Sequence, residues 1–205
     1  LLHSRNILFS AIVPLILGIS GCATLPPPPQ PPATSSINQQ HLATLASIKT
    51  FSLKGRLGVV TNPRGFTGGI DWQHQAAEDN IDVYSPVGGK VANIIKRPSG
   101  VTLTTQDGRS TTAKDAESLT ETTLGWRLPL EGLSDWALGK PTTSKIDAAT
   151  WNEQGQLTTL KQDGWDIEYQ NYAENSGYFL PGKIVLKSEK VNLKLLVEKW
   201  VSAGN

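Results

Sequence analysis

Cysteine is nearly absent: Cys22 is the single one in 205 residues, which excludes a disulfide framework and any multi-thiolate metal site. Charge is scarce too. Asp, Glu, Lys and Arg make up 18% of the chain against roughly a quarter in an average soluble protein, which argues against a charge-driven disordered chain. Nucleic-acid binding is disfavoured on the same ground, because 19 basic residues balance 18 acidic ones and no basic run supplies a phosphate-neutralising patch. No methionine occurs, an absence without functional content. Histidine is limited to His3, His41 and His74, none spaced to share a metal ion with a partner, so His41 and His74 are read as ordinary surface residues. The motifs that announce common chemistries are missing as well: no GxSxG elbow, HExxH pair, Walker loop or dinucleotide fingerprint. Gly65-Phe66-Thr67-Gly68-Gly69 is glycine-rich but opens a strand, so it cannot form a phosphate-binding helix terminus. Asp166 and Glu168 would share one strand face, yet they read as a solvated face with Trp165 and Ile167 pointing inward. A chain of this length suffices for one domain with a sizeable core, plus a tail.

What is present begins with Arg5 followed by the apolar run from Ile7 to Ile19. Thirteen residues are too few to span a bilayer, and small residues follow directly, the pattern of a signal peptide over residues 1–21. Ile19-Ser20-Gly21-Cys22 resembles the bacterial lipobox. That resemblance implies cleavage before Cys22, a diacylglycerol and an N-acyl chain on Cys22, and no other cofactor. It further implies sorting to the outer membrane, since Ala23 stands where an Asp would retain the protein in the inner one. Residues 22–36 then form a linker holding six of the 13 prolines, a stiff spacer largely in polyproline II.

Residues 37–205 read as one domain, mainly β with some α. Leu42, Leu45, Ala46 and Ile48 recur at helical spacing after Ser35-Ser36. Period-2 segments follow, at 51–59, 66–74, 80–85, 90–97 and 100–105, separated by turn residues. Residues 111–119 and 130–138 read as two helices, the second placing Leu130, Leu133 and Trp136 on one face. Strands resume at 147–152, 157–162, 165–171, 182–188 and 191–199. About ten antiparallel strands in one twisted sheet tend to curl, and helices inserted midway can cover the concave face.

With this order in place the chain resembles the LolB family of outer-membrane lipoprotein receptors. The anchor points are Gly55-Arg56, Asp71-Trp72-Gln73, Ser85-Pro86-Val87-Gly88, Thr112 to Glu117, and Leu193-Lys194-Leu195 to Trp200-Val201. The most specific is the run Pro129-Leu130, Leu133, Trp136, Leu138-Gly139 and Pro141. The resemblance implies a half-closed barrel of ten to eleven strands under a lid of short helices, an apolar cavity, and no enzymatic activity. It implies a monomer that takes triacylated lipoprotein cargo from the periplasmic carrier LolA and inserts it into the outer membrane. Ile70, Trp72, Ile81, Val83 and Ile94 of the meander, with Leu130, Leu133 and Trp136 of the lid, are the candidates to line that cavity. Pro86, Val87 and Gly88 would form the membrane-insertion loop, where the family carries a protruding apolar residue, usually leucine. Two other readings stay open: an assembly accessory lipoprotein that holds a protein partner, and a small hydrolase, which lacks a nucleophile and base.

Overall fold

The computed structural model describes residues 36–61, 65–116, 118–119 and 130–204, with Leu130 and Glu131 described in backbone only. The leader, Cys22 and the Pro-rich linker lie outside the described residues. Helix α1 (Ser36–Ala46) precedes six strands: β1 (Thr50–Thr61), β2 (Gly65–Gln75), β3 (Glu78–Tyr84), β4 (Lys90–Arg97), β5 (Gly100–Thr105) and β6 (Ser110–Ala113). Helix α2 (Leu130–Ala137) follows, then β7 (Ile146–Trp151), β8 (Leu157–Gln162), β9 (Trp165–Gln170), β10 (Ala173–Asn175), β11 (Tyr178–Leu180), β12 (Lys183–Lys187) and β13 (Val191–Gly204). Eleven strands form one open antiparallel sheet in the order β6-β5-β4-β3-β2-β1-β13-β12-β9-β8-β7, and β10 pairs with β11 apart from it. The half-closed architecture expected from the sequence is therefore present.

Two expectations are corrected. Residues 110–113 are a strand rather than the start of a helix: Val101 pairs with Ala113 and Leu103 with Thr111. Helical structure begins only after Asp115, whose carboxylate Oδ1 accepts from the Ser118 amide at 2.7 Å, the geometry of a helix cap. The short β10–β11 hairpin was also not anticipated; its turn carries Ser176 and Gly177 at positive φ.

Register sorts the inward side chains into rows across the sheet. Phe51, His74, Asp79, Lys96 and Val101 are successive cross-strand neighbours on β1 to β5. The next row is Leu53, Trp72, Ile81, Ile94 and Leu103, and the one after it Gly55, Ile70, Val83, Ala92 and Thr105. Alternation of the other faces leaves Lys54, Arg56 and Gln73 exposed, as a half-buried antiparallel sheet requires.

Curvature comes from glycines and bulges. The β1–β13 register slips between Ser52 and Leu53 and again between Lys54 and Gly55, so β13 carries extra residues that bend it. At Gly55 a β-carbon would stand 2.1 Å from the Leu196 carbonyl oxygen. The position therefore demands glycine, because two backbones meet there too closely for any side chain.

Helix α1 lies across the end of the sheet where β1 begins. Its first turn rests on the β7–β8 turn, where a β-carbon added at Gly155 would come 2.7 Å from Ile37 Cγ2. Beyond its last turn, the Lys49 amide donates to the Gly204 carbonyl at 2.8 Å. His41, expected at the surface, is half-buried instead, edge-on to Tyr172 with ring centroids 6.5 Å apart. Burial holds its pKa below the ordinary imidazole value. The unfolded chain then takes up the proton more readily than the folded one, so this contribution to stability is intact above about pH 6.5 and is lost as pH falls through that value. Urea midpoints at pH 7.5 and 5.5 check this: His41→Gln should lose less stability on acidification than the parent, and an equal loss removes His41 from the account.

Candidate functional site

The inward rows enclose an apolar cavity of about 440 Å³. Its walls come from β1, β2, β3, β4, β5, β12 and β13, with α2 across them. Laid flat, those seven strands would extend about 29 Å at ~4.8 Å per strand. That they share one cavity with a single helix shows how strongly the sheet is curled. Of the residues expected to line it, Ile70, Trp72, Ile81, Val83, Ile94, Leu133 and Trp136 do so. The side chain of Leu130 lies outside the described residues.

Other lining residues escaped the sequence reading. Phe66, Val91 and Leu103 belong to the meander, whereas Ile184, Leu186, Leu193 and Leu195 come from the far end of the chain. Their alternation was visible in the sequence. Their meeting across the cavity depends on β1 pairing with β13, which no local pattern encodes.

Burial is graded along the strands. On β1 it is complete at Phe51 and Leu53 and partial at Leu57 and Val59; on β2 it falls from Trp72 to Phe66, and on β5 from Val101 to Thr105. Each gradient points the same way, so the cavity is closed at the α1 end and open at the rim formed by the β3–β4, β5–β6 and β12–β13 turns. The closed end is packed with aromatics. Phe51 is edge-on to Trp72 and Trp200, with centroids 5.1 and 5.6 Å away, and stacks on His74 at 4.9 Å.

A charge is buried there as well. Asp79 is 1% exposed, and its Oδ1 accepts from Trp72 Nε1 at 2.8 Å and from His74 Nδ1 at 2.7 Å. Lys96 Nζ lies 3.8 Å from the second oxygen, Oδ2, which accepts no hydrogen bond. His74 is thus half-buried and hydrogen-bonded rather than an ordinary surface residue. Both positions had a signal in the sequence: His74 is two residues from Trp72, and Asp79 two from Ile81, so alternation turns them inward.

Helix α2 is fastened over the cavity by one amide. Gln162, fully buried on β8, accepts through Oε1 from Trp136 Nε1 and from the Thr142 amide, both at 3.0 Å. Its Nε2 donates to the Ser144 carbonyl at 2.9 Å. The indole of Trp136 therefore presents its ring to the cavity with its polar edge satisfied.

At the open rim the β3–β4 hairpin carries Val87 at 94% exposure. Gly88 N donates to the Ser85 carbonyl at 2.9 Å and Ser85 N to the Gly89 carbonyl at 2.7 Å. Gly88 adopts φ 92°, the left-handed residue of a three-residue hairpin loop. This tight turn, with Pro86 fixing its first corner, holds Val87 clear of its own hairpin.

A family model described as outer membrane lipoprotein LolB matches residues 49–200. The outer-membrane lipoprotein LolB of Thiobacillus denitrificans is 31% identical over 194 residues, covering 95% of this chain and 97% of that one. The LolB of Nitrosomonas europaea is 34% identical, covering 93% and 91%. Among solved structures, a DUF1329 family protein from Desulfovibrio piger shares the fold, with a TM-score of 0.51 at 5% identity over 80% of this chain and 89% of its own. The family match over residues 49–200 and these two LolB relatives, each above 30% identity across more than nine-tenths of the chain, place it in the outer-membrane lipoprotein LolB family.

Proposed function

We propose that this chain is an outer-membrane receptor that accepts acylated lipoproteins from a soluble periplasmic carrier of the LolA kind and passes them into the outer membrane. The observation that carries the reading is the cavity: apolar over nearly all of its wall, closed at one end and open at the other. Acyl chains exposed to the aqueous periplasm cost about 0.8 kcal/mol per methylene, and a concave apolar surface removes that cost without any reaction. In this reading Ile70, Trp72, Ile81, Val83, Ile94, Leu133 and Trp136 hold the chains, with Leu130 continuing the lid. The hairpin Pro86-Val87-Gly88 meets the lipid, and acyl groups on Cys22 anchor the protein. No residue is assigned a catalytic role. Transfer runs down a gradient of affinities from carrier to receptor to bilayer.

The test uses residues 22–205 carrying Cys22→Ala, so that no acyl group of its own competes. An environment-sensitive apolar dye should bind, and an acylated lipoprotein N-terminal peptide should displace it, because both need the same concave surface. The unacylated peptide should leave the dye in place. Equal displacement by both peptides would instead favour a module that holds a protein partner.

A further inference from the structure

We propose that Trp72, held in place by Asp79, is the stop that sets how far an acyl chain can enter the cavity, making the pair a determinant of chain length. The inference rests on the acyl-binding reading above. Along the cavity, the row containing Trp72 is the last apolar one before the closed end. The next inward row brings His74, Asp79 and Lys96 together between Phe51 and Val101, so a methyl terminus advancing further would meet a buried carboxylate instead of hydrocarbon.

The indole separates the two environments. Its ring lines the cavity, and its Nε1 donates to Asp79 Oδ1 at 2.8 Å. Phe51 backs the ring edge-on from behind. Swinging the indole aside would break a fully buried charge-assisted hydrogen bond and leave Asp79 Oδ1 with His74 Nδ1 as its one remaining partner, while Oδ2 already accepts none. A buried charge that loses a partner is costly. A pure packing role for Asp79 would be met more simply by an apolar side chain; its charge makes sense where an aromatic ring must be kept from yielding to a flexible ligand. Trp72 is therefore the specificity residue, and Asp79 is a positioning residue acting through it.

The measurement is dye displacement by saturated fatty acids of increasing length, on residues 22–205 carrying Cys22→Ala. In the parent, affinity should climb about fourfold per added methylene and then level off at a defined length. In Trp72→Leu the levelling should move to longer chains, so that an acid two methylenes past the parental break binds the variant about 15-fold more tightly than the parent. Trp72→Phe keeps an aromatic body but is smaller and lacks the N–H, and should move the break in the same direction. Asp79→Leu should let long chains gain while short-chain affinities stay put. Asp79→Asn, which retains the acceptor oxygen, should restore the parental break.

A break that stays at the parental length in the Trp72 variants overturns the proposal. So does a parent whose affinity keeps climbing through the longest chain tested, a result that needs no variant to fold. If no fatty acid of any length displaces the dye, the acyl-binding reading itself fails, an outcome distinct from both.

Discussion

Val87→Glu should leave the receipt of cargo from the carrier at the parental rate while transfer onward to liposomes falls by about tenfold or more. The two stages separate because they use different parts of the molecule. Receipt depends on the cavity wall, which the rim hairpin does not enter. Onward transfer, in the proposed function, uses the exposed Val87 side chain as the contact with lipid, and burying one valine is worth ~1.5 kcal/mol, or about tenfold in rate if it is lost. A carboxylate adds an opposing desolvation cost. The substitution should not disturb the fold, because Val87 touches little of it and the turn is held by backbone bonds between Ser85, Gly88 and Gly89. Val87→Leu should match or slightly exceed the parent. Following carrier-to-receptor and receptor-to-liposome steps separately decides it: parental delivery by Val87→Glu, or failure already at the first step, would remove the hairpin from the mechanism.

The largest effect on stability is expected from a methyl group. Gly68 lies on β2 among the inward positions, and a β-carbon there would stand 2.0 Å from the Tyr84 carbonyl oxygen and 2.6 Å from the Phe66 ring. The ring could rotate away. The carbonyl belongs to β3 beside the register slip between Val83 and Tyr84 and cannot move without pulling the β2–β3 ladder with it. Gly68→Ala should therefore cost about 3 kcal/mol, the upper part of the range for overpacking, and lower the melting temperature by roughly 6–12 °C for a domain of this size. Thermal unfolding followed by circular dichroism measures it. Gly108→Ala serves as the comparison, since this glycine of the β5–β6 turn has nothing within 4 Å of an added β-carbon; its cost is only that of a positive φ. Equal losses in the two variants would show that the close approach at Gly68 is unimportant.

Period-2 alternation is a strong local signal, and β4, β5 and β8 fall on the residues where it placed them. It fails where side chains are uniformly polar. Ser110-Thr111-Thr112-Ala113 offers no apolar face to mark it as a strand, and the helix read over 111–119 overlaps it. Its strand character comes from hydroxyl pairs with β5, Thr102 to Thr112 at 3.1 Å and Thr104 to Ser110 at 2.9 Å, which exist only once the partner is in place. At the site, the apolar lining could be picked from alternation, but Asp79 and His74 were hidden by the habit of placing charge outside. The position of a residue in its strand outranked its chemistry: β3 turns Asp79, Ile81 and Val83 to one side, and neighbours on β2 and β4 supply the partners that make a buried carboxylate tolerable.

The placement of α1 bears on how such a domain reaches a membrane. Because Ile37 sits on the β7–β8 turn, α1 begins at the closed end, the pole opposite Val87. Strand β1, with 12 residues, is about 41 Å tall at ~3.4 Å per residue. The start of α1 and the Val87 tip thus stand at opposite ends of the sheet, about one β1 length apart, so a surface met by Val87 is met by the end of the domain that α1 leaves uncovered.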